Sequence, residues 1–291
     1  MLAPTEKALV EAGASFRVKV TERQGHATTL VREALEEGAS GIAVIGGDGT
    51  FNEAMNGFWN DQGQPIRPEA WFAPLPCGTG GDLRRTLMIP QDPVQAARQM
   101  MQATPAHYDC GWIRLHDRQG REVNRSFLNI ASVGMAGLVD ELVNSSPKWL
   151  GGRLSFLWGT LRAIAKYKAP RVRISIDGQP VVERRITNIA IANGRYFGGG
   201  MHIAPDASMQ DGVFDIVTVS DLPALSQLSM IPSIYGTGVI SRPGVISERG
   251  TRIEIEAVDS EERVLLDVDG ETPGVLPAVF EIRTGGIRLR H

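Results

Sequence analysis

The chain has 291 residues, of which 42% are hydrophobic and 22% are charged. This composition is typical of a globular protein with room for about two domains, and it excludes collagenous, disordered and disulfide-scaffold classes. The formal net charge is −3, and because nucleic-acid binders usually carry a basic excess, we expect no nucleic-acid partner. Glycine is in excess, with 33 residues, which indicates tight turns or close approach of the backbone to a ligand.

The cysteines and the N-terminal residues both favour a cytoplasmic location. Cys77 and Cys110 are too few for a disulfide framework, and we expect them to be free thiols. The first residues lack the basic and apolar regions of a secretory signal. Residues 222–240 carry no charge, but Pro223 and Pro232 disfavour a membrane span there.

The N-terminal part alternates short apolar runs with helical patterns. Strands are predicted at residues 15–20, 42–45 and 71–75, and helices at residues 27–37, 51–58, 83–87 and 93–102. This order predicts an α/β nucleotide-binding domain, a parallel sheet covered by helices, over residues 1–107.

From Tyr108 onward the patterns become mostly β. Strands are predicted at residues 171–176, 186–192, 213–219, 252–257, 263–268 and 279–288, and helices at residues 137–144, 154–167 and 224–235. Many of these strands end in Asp-Gly or Gly-Gly turns, as antiparallel hairpins do. We therefore expect a mostly antiparallel, β-sandwich-like second domain over residues 108–291.

Two glycine-rich turns follow successive predicted strands of the first domain. The first is Gly-Gly-Asp-Gly-Thr at residues 46–50, and the second is Leu-Pro-Cys-Gly-Thr-Gly-Gly-Asp at residues 75–82. Backbone amides of such a turn, together with the N-terminus of the following helix, can bind phosphate oxygens. The alternative is a plain turn in which Thr50 caps the helix and Glu53 completes a capping box.

Both turns should lie at the same edge of the sheet, because the carboxyl ends of parallel strands meet there. Asp48 and Asp82 would then face each other across one crevice. Two carboxylates beside phosphate oxygens suit Mg²⁺, which prefers one or two carboxylates together with phosphate and water. The residues therefore favour a phosphate and magnesium site at this edge.

The two turns resemble the signature loops of the diacylglycerol kinase catalytic-domain family, which includes bacterial lipid kinases, sphingosine kinases and ceramide kinases. The matching runs are GGDGTFNEAMNG at 46–57 and LPCGTGGD at 75–82, and three later segments agree, at residues 129–139, 196–219 and 266–271. The resemblance implies an α/β nucleotide domain joined to a β-sandwich-like domain that holds the lipid substrate and the catalytic base. It also implies transfer of the γ-phosphoryl group of ATP to a lipid hydroxyl, diacylglycerol-like, with Mg²⁺ as the metal.

Nucleotide and metal contacts follow from the same resemblance. It assigns nucleotide binding to Thr21, Gly46, Gly47, Asp48, Gly49, Thr50, Phe51, Asn52 and Thr79. It assigns metal binding to Asp48, Asp82, Ser208, Asp211 and Val213, with Asp109 as an extension of the network. Taken without the resemblance, Asp211 is part of an Asp-Gly hairpin turn.

The resemblance makes Glu271 the general base, with Asp269 beside it as a second catalytic carboxylate. Alternate residues of a strand share a face, and Gly270 could turn the chain so that both carboxylates line the cleft. A neighbouring carboxylate would raise the pKa of the base toward the working range. The alternative from the residues alone is a solvated acidic hairpin.

A basic and aromatic stretch gives a candidate membrane contact. Residues 148–173 contain seven Lys or Arg residues and no acidic residue, interleaved with Trp149, Phe156 and Trp158. Such a segment suits an anionic membrane surface, and a helix with a solvated basic side explains it equally well. We expect peripheral contact with the inner membrane face, where the lipid substrate lies. A homodimer is an open alternative for the oligomeric state.

Two rival functions and two departures from the family pattern stay open. An NAD kinase shares the Gly-Gly-Asp-Gly-Thr loop, and a non-catalytic lipid- or nucleotide-binding relative is the other rival. The Asn52-Glu53 pair and the terminal Asp-Gly-Glu motif favour the lipid branch. We expect residues 1–107 to lack the family's first strand and its Asn-Pro-x-Ser-Gly loop, and Gly81 stands where the family more often has Asn.

Overall fold

A computed structural model of the chain describes residues 2–78, 81–144, 167–223, 226, 229, 235–236 and 242–291, with backbone alone over 140–144. Thr79 and the tryptophans of the basic stretch lie outside the described residues. So do nearly all residues of the two helices predicted at 154–167 and 224–235.

Helices and parallel strands alternate in the N-terminal part. They are α1 Leu2–Glu11, α2 His26–Glu36, β1 Gly41–Gly46, α3 Asp48–Asn56, β2 Trp71–Pro76, α4 Asp82–Thr86 and α5 Pro93–Gln102. β1 and β2 pair in parallel, from Gly41 opposite Trp71 to Gly46 opposite Pro76. Their carboxyl ends are therefore level with each other, which brings the two glycine-rich turns together as predicted.

Aromatic packing holds α3 against this sheet. Phe51 and Phe58 lie edge-on to Phe72 of β2, with ring centroids 6.3 and 5.9 Å apart, a favourable geometry for aromatic pairs. Gly57, at the end of α3, allows close approach to α2, because a Cβ there would lie 2.6 Å from the carbonyl oxygen of Thr28. This packing fixes α3 so that its N-terminus lies at the carboxyl ends of β1 and β2.

Residues 15–20 do not form a strand, so that prediction was wrong. The alternating side chains Phe16, Val18 and Val20 are 40, 46 and 67% exposed, whereas Lys19 on the other side lies 3.2 Å from Glu33 of α2. A strand needs a neighbour to receive its backbone hydrogen bonds. Among the described residues, β1 pairs with β2 alone, so this segment lies outside the sheet.

The C-terminal part is mostly antiparallel β. It comprises β3 Ala106–His116, β4 Glu122–Phe127, β5 Ile130–Gly134, α6 Met135–Asn144, β6 Arg171–Ile176, β7 Val182–Ala192, β8 Tyr196–Phe197, β9 Met201–His202, β10 Phe214–Ser220, β11 Val245–Gly250, β12 Arg252–Ala257, β13 Leu266–Val268 and β14 Val275–Leu289. Its core includes the stacked rings of Phe127 and Phe214, 5.7 Å apart. Six of these strands were not predicted from the sequence: β3, β4, β5, β8, β9 and β11.

The long strand β14 joins the two parts. It pairs antiparallel with β3, and its last residues, Arg288 and Leu289, pair in parallel with Trp71 and Phe72 of β2. The predicted fold class is confirmed: an α/β part with parallel strands and helices joined to a β-sandwich-like part. The predicted division after residue 107 falls inside β3 and stays a prediction. Within the described residues, no helix is both long and apolar enough to cross a membrane.

Candidate active site

The first glycine-rich turn leads directly into α3. Gly47 is the N-cap of this helix, and no side chain accepts a capping hydrogen bond there. The first backbone N–H groups of α3 can therefore donate to a ligand. The alternative interpretation, a capping box formed by Thr50 and Glu53, was wrong, because the helix begins at Asp48 and not after Thr50. Glu53 instead accepts a 3.4 Å hydrogen bond from the backbone N–H of Ala27, and so links α3 to the start of α2.

Asp48 connects the first turn to the second. Its carboxylate accepts hydrogen bonds from the backbone N–H groups of Gly81 at 2.7 Å, Asp82 at 3.1 Å and Leu83 at 3.4 Å. Gly81 adopts the left-handed conformation, with φ 91°. Glycine and asparagine are the residues that tolerate this conformation best, which explains how Gly81 can replace the family's usual Asn.

Asp82 is nearly buried, with 7% of its surface exposed. Its Oδ1 accepts a 2.8 Å bond from Arg85 Nη1, and its Oδ2 accepts a 2.8 Å bond from the backbone N–H of Gly199. Burial, followed by the nearby Asp48 charge, raises the pKa of Asp82 to about 6. A cation bound beside Asp82 and Asp48 would oppose both causes of this shift by stabilising the ionised form of Asp82. Asp48 and Asp82 therefore fit a Mg²⁺ ion.

The second predicted metal position has a different environment. Asp211 forms an ion pair with Arg249, whose Nε also lies 3.5 Å from Asp215. Within the described residues, no group of three or more His, Cys, Asp or Glu side chains could hold a metal ion. Asp211 thus has a guanidinium as its counter-ion, as Asp82 has in Arg85, and a metal bound by Ser208, Asp211 and Val213 stays a prediction.

The hydrogen bonds of the Asp109 carboxylate connect two turns of the C-terminal part and not the Asp48–Asp82 pair. Its carboxylate accepts a 2.8 Å bond from the backbone N–H of Gly212 and a 2.7 Å bond from that of Gly285. It therefore fixes the turn before β10 against the bend within β14. The buried carboxylate is stabilised by these two amides, as a buried charge requires.

The Asp-Gly-Glu motif forms a tight hairpin after β13. Val268 and Glu271 exchange both backbone hydrogen bonds, at 2.8 and 3.1 Å. Asp269 and Gly270 have φ values of 51° and 86°, and a two-residue turn of type I′ needs positive φ at both positions. The turn fixes the point from which the Glu271 side chain extends.

Asp269 faces inward and not toward the cleft. Its carboxylate accepts hydrogen bonds from the backbone N–H groups of Leu128, Asn129 and Ile130 at 2.9 to 3.1 Å, and from Asn52 Nδ2 at 3.2 Å. Burial nevertheless raises its pKa to about 6. These four donors make Asp269 an anchor for the hairpin. Its predicted catalytic role stays a prediction.

Glu271 is partly buried and lies beside the nucleotide turn. Its Oε2 accepts a 3.1 Å bond from Gln24 Nε2, and its Oε1 lies 2.9 Å from the position that a Cβ on Gly49 would occupy. Burial, followed by the charge of Glu53, raises the pKa of Glu271, and the Gln24 bond lowers it. A raised pKa and a position at the turn suit a general base.

A groove of about 720 Å³ contains Glu271 and runs along α2, α3 and β4. Its lining includes Thr28, Asn52, Asn56 and Trp112. The groove thus brings the helix after the first glycine-rich turn and the Asp-Gly-Glu hairpin to one surface.

Two predicted nucleotide contacts differ in what they can offer a ligand. Phe51 is 1% exposed and belongs to the core, so its backbone alone could contact a nucleotide. Thr21 is exposed in the loop before α2.

Asn56 and Gln24 were missed by the sequence analysis. Asn56 exchanges hydrogen bonds of 2.8 and 3.0 Å with the backbone of Ser126 on β4. Its spacing of four residues from Asn52 could have revealed it, because such pairs share a helix face. For Gln24 the sequence carried no such signal.

Comparisons with known proteins agree with this architecture. Residues 1–113 match the diacylglycerol kinase catalytic domain, and residues 129–291 match the YegS C-terminal NAD kinase beta sandwich-like domain. The fold and site thus define a two-part protein of the diacylglycerol kinase and NAD kinase type.

Individual relatives narrow this class. A diacylglycerol kinase of Staphylococcus haemolyticus is 30% identical over 94% of this chain and 77% of its own length. One of Staphylococcus carnosus is 29% identical over 93% of this chain and 82% of its own length. A crystal structure of a diacylglycerol kinase from Bacillus anthracis, at 25% identity, has a TM-score of 0.76 and covers 100% of this chain and 90% of that chain. The chain belongs to the diacylglycerol kinase family.

Proposed function

We propose that this chain is an ATP-dependent lipid kinase that transfers the γ-phosphoryl group to the hydroxyl of a diacylglycerol-like lipid. The observation that carries the proposal is the position of Glu271. Its carboxylate lies at Gly49 of the nucleotide turn, and Glu271 lines the groove that runs along α2, α3 and β4. Relatives named diacylglycerol kinase, of whose lengths the matches cover 82 and 77%, support the same reaction.

The nucleotide would bind where the two glycine-rich turns meet. Backbone amides at the start of α3 would donate to its phosphate oxygens, with Gly46 and Gly47 allowing the close approach and Thr50 as a further contact. Mg²⁺, when bound, supplies positive charge that neutralises the phosphate oxygens during transfer, and Asp48 and Asp82 are the residues that would hold it.

Glu271 would accept the proton of the lipid hydroxyl as the hydroxyl oxygen attacks the γ-phosphorus. The P–O bond to ADP breaks, and the phosphorylated lipid and ADP leave. Such a reaction depends mainly on positioning and charge stabilisation. Of the carboxylates around the site, Asp48, Asp82 and Asp269 each hold two or more donors. Glu271 is the best placed to receive a proton.

The acceptor is tested by labelled ATP against a panel of candidates. The panel contains vesicles with diacylglycerol, phosphatidylglycerol, a sphingoid base or a polyprenol, and NAD in solution. Label in the diacylglycerol fraction is the expected result. Label in NAD would favour the NAD kinase alternative, and no label in any acceptor, with ATP bound, would favour a non-catalytic relative.

We also propose peripheral membrane contact through the basic stretch at residues 148–173. Two of its seven charges have partners in the sheet: Arg171 lies 3.1 Å from Glu183, and Arg173 lies 3.2 Å from Glu256. The proposal therefore rests on residues 148–168, with five Lys or Arg residues and both tryptophans. Basic residues and tryptophans together favour an anionic bilayer surface.

Vesicle sedimentation tests this contact. Trp149→Ala and Trp158→Ala should each reduce binding to vesicles that contain phosphatidylglycerol. Unchanged binding would mean that these side chains serve packing within the protein.

A further inference from the structure

Gln24 is the link between the loop before α2 and the Asp-Gly-Glu hairpin. Its side-chain Nε2 donates a 3.1 Å hydrogen bond to Glu271 Oε2, across 247 positions of the chain. Gln24 belongs to neither glycine-rich turn, and the nucleotide contacts implied by the family resemblance do not include it. Its bond to Glu271 is therefore a separate observation about the site.

The loop that carries Gln24 is held in place by its own hydrogen bonds. The backbone N–H of Glu22 donates to His26 Nδ1 at 3.1 Å, and the backbone N–H of His26 donates to the carbonyl of Arg23 at 3.2 Å. Gly25, with φ 78°, is the N-cap of α2. These contacts form a tight turn that presents Gln24 toward the groove.

The backbone of Glu271 is fixed from the other side. The Val268–Glu271 hairpin and the four donors to Asp269 hold the main chain, so the remaining freedom lies in the Glu271 side-chain torsions. A hydrogen bond at the end of that side chain selects one of its staggered conformations.

We propose that Gln24 is a positioning residue: it holds Oε2 of Glu271 so that Oε1 faces the Gly49 end of the nucleotide turn. The inference rests on the proposed function, in which Glu271 takes the proton of the acceptor. A general base must present a lone pair within hydrogen-bond reach of that proton. Because Oε2 accepts the hydrogen bond from Gln24, Oε1 is the oxygen that presents a lone pair to the acceptor hydroxyl.

The charges around Glu271 set the direction of the test. Glu53 of α3 is the charge that acts on it most strongly, and Arg32, Asp61, Glu122 and Arg125 line the same groove. A donor at position 24 favours the ionised carboxylate, and a second carboxylate there would disfavour it. Gln24 is exposed, so substitutions at this position should not prevent folding.

Three substitutions at position 24 should have effects of different sign. Gln24→Ala is expected to lower kcat about 10-fold, with the KM for ATP little changed, because a small misplacement of a catalytic group is costly. The acid limb of the kcat–pH profile should move to higher pH in Gln24→Ala and further in Gln24→Glu, and to lower pH in Gln24→Lys. Gln179→Ala, in the exposed turn between β6 and β7, is the matched control and should resemble the wild type.

A second readout does not depend on lipid turnover. The carboxyl carbon of Glu271 can be followed by NMR across a pH titration of protein labelled with ¹³C-glutamate, and the signal is assigned with Glu271→Gln. Its titration midpoint should rise in Gln24→Ala and fall in Gln24→Lys, with Gln179→Ala unchanged. Midpoints that match the wild type in both variants would overturn the positioning role. If the wild type phosphorylates no lipid while these midpoints move as expected, the proposed function fails and the Gln24–Glu271 relationship stands.

Discussion

Asn52 Nδ2 donates a 3.2 Å hydrogen bond to the carboxylate of Asp269, across 217 positions of the chain. Asn52 belongs to the helix that follows the first glycine-rich turn, and Asp269 belongs to the hairpin that carries Glu271. The bond therefore holds the proposed nucleotide loop and the proposed base in a fixed relation. Asn52 Nδ2 also donates to the carbonyl of Ser126 at 3.1 Å, which extends the link to β4.

Asp269→Asn should destabilise the protein by about 2 kcal/mol or more, because each carboxylate oxygen accepts two N–H donors, and the two donors that face the new amide NH2 group would have no acceptor. Urea unfolding followed by tryptophan fluorescence measures the loss. Asp259→Asn, at an exposed turn, should change the free energy of unfolding by less than about 0.5 kcal/mol. Equal stability of the two variants would contradict the anchoring role of Asp269.

Gly49→Ala should separate stability from activity. Gly49 is the second residue of α3, and alanine is favoured over glycine in a helix by about 1 kcal/mol. A Cβ at this position would lie 2.9 Å from Glu271 Oε1, so the carboxylate must move away from the nucleotide turn. We expect unchanged or higher thermal stability together with a fall in kcat of about 10-fold or more. A variant with wild-type kcat would show that Glu271 does not act at this position.

The glycine-rich turns and the alternation of helices and strands could be predicted from the sequence, because their signals are local. Gly46 and Gly47 follow an apolar run, and the helix predicted at residues 93–102 is confirmed as α5 with the same bounds. The strand predicted at residues 15–20 was wrong because alternation reports the chemistry of the side chains and not the presence of a partner strand.

Long-range contacts at the site could not be predicted. The bond from Gly199 to Asp82 joins residues 117 positions apart, and spacing along the chain carries no information about it. Asp269 and Glu271 were expected to line the cleft together. The turn at Asp269 and Gly270 instead directs one carboxylate inward to four donors, and this follows from the folded position of Leu128, Asn129 and Ile130.

Stabilisation by Mg²⁺ should depend on pH through Asp82. Its pKa is raised from the ordinary value of 3.8 to about 6 in the folded protein. The protonated form of Asp82 therefore contributes stability that is fully present below pH 3.8 and is lost as the pH rises through about 6. Mg²⁺ needs the ionised carboxylate. Addition of Mg²⁺ should therefore raise the melting temperature at about pH 7.5 and have little effect at about pH 5.

Two variants locate the metal in this experiment. Asp82→Asn should abolish the Mg²⁺-dependent shift in melting temperature, whereas Asp211→Asn should retain it, since Asp211 is not part of the Asp48–Asp82 pair. Loss of the shift in Asp211→Asn alone would place the metal at the second predicted position. An equal shift in melting temperature at both pH values would show that the effect of Mg²⁺ does not depend on ionisation of Asp82.

The most direct measurement compares the wild type with Glu271→Gln in a single assay of phosphate transfer from labelled ATP to diacylglycerol vesicles, with ATP affinity measured by calorimetry. The glutamine has nearly the same size but cannot accept the proton, so we expect the transfer rate to fall by about 100-fold or more while ATP affinity changes by less than about 2-fold. Full transfer activity in Glu271→Gln would contradict the account.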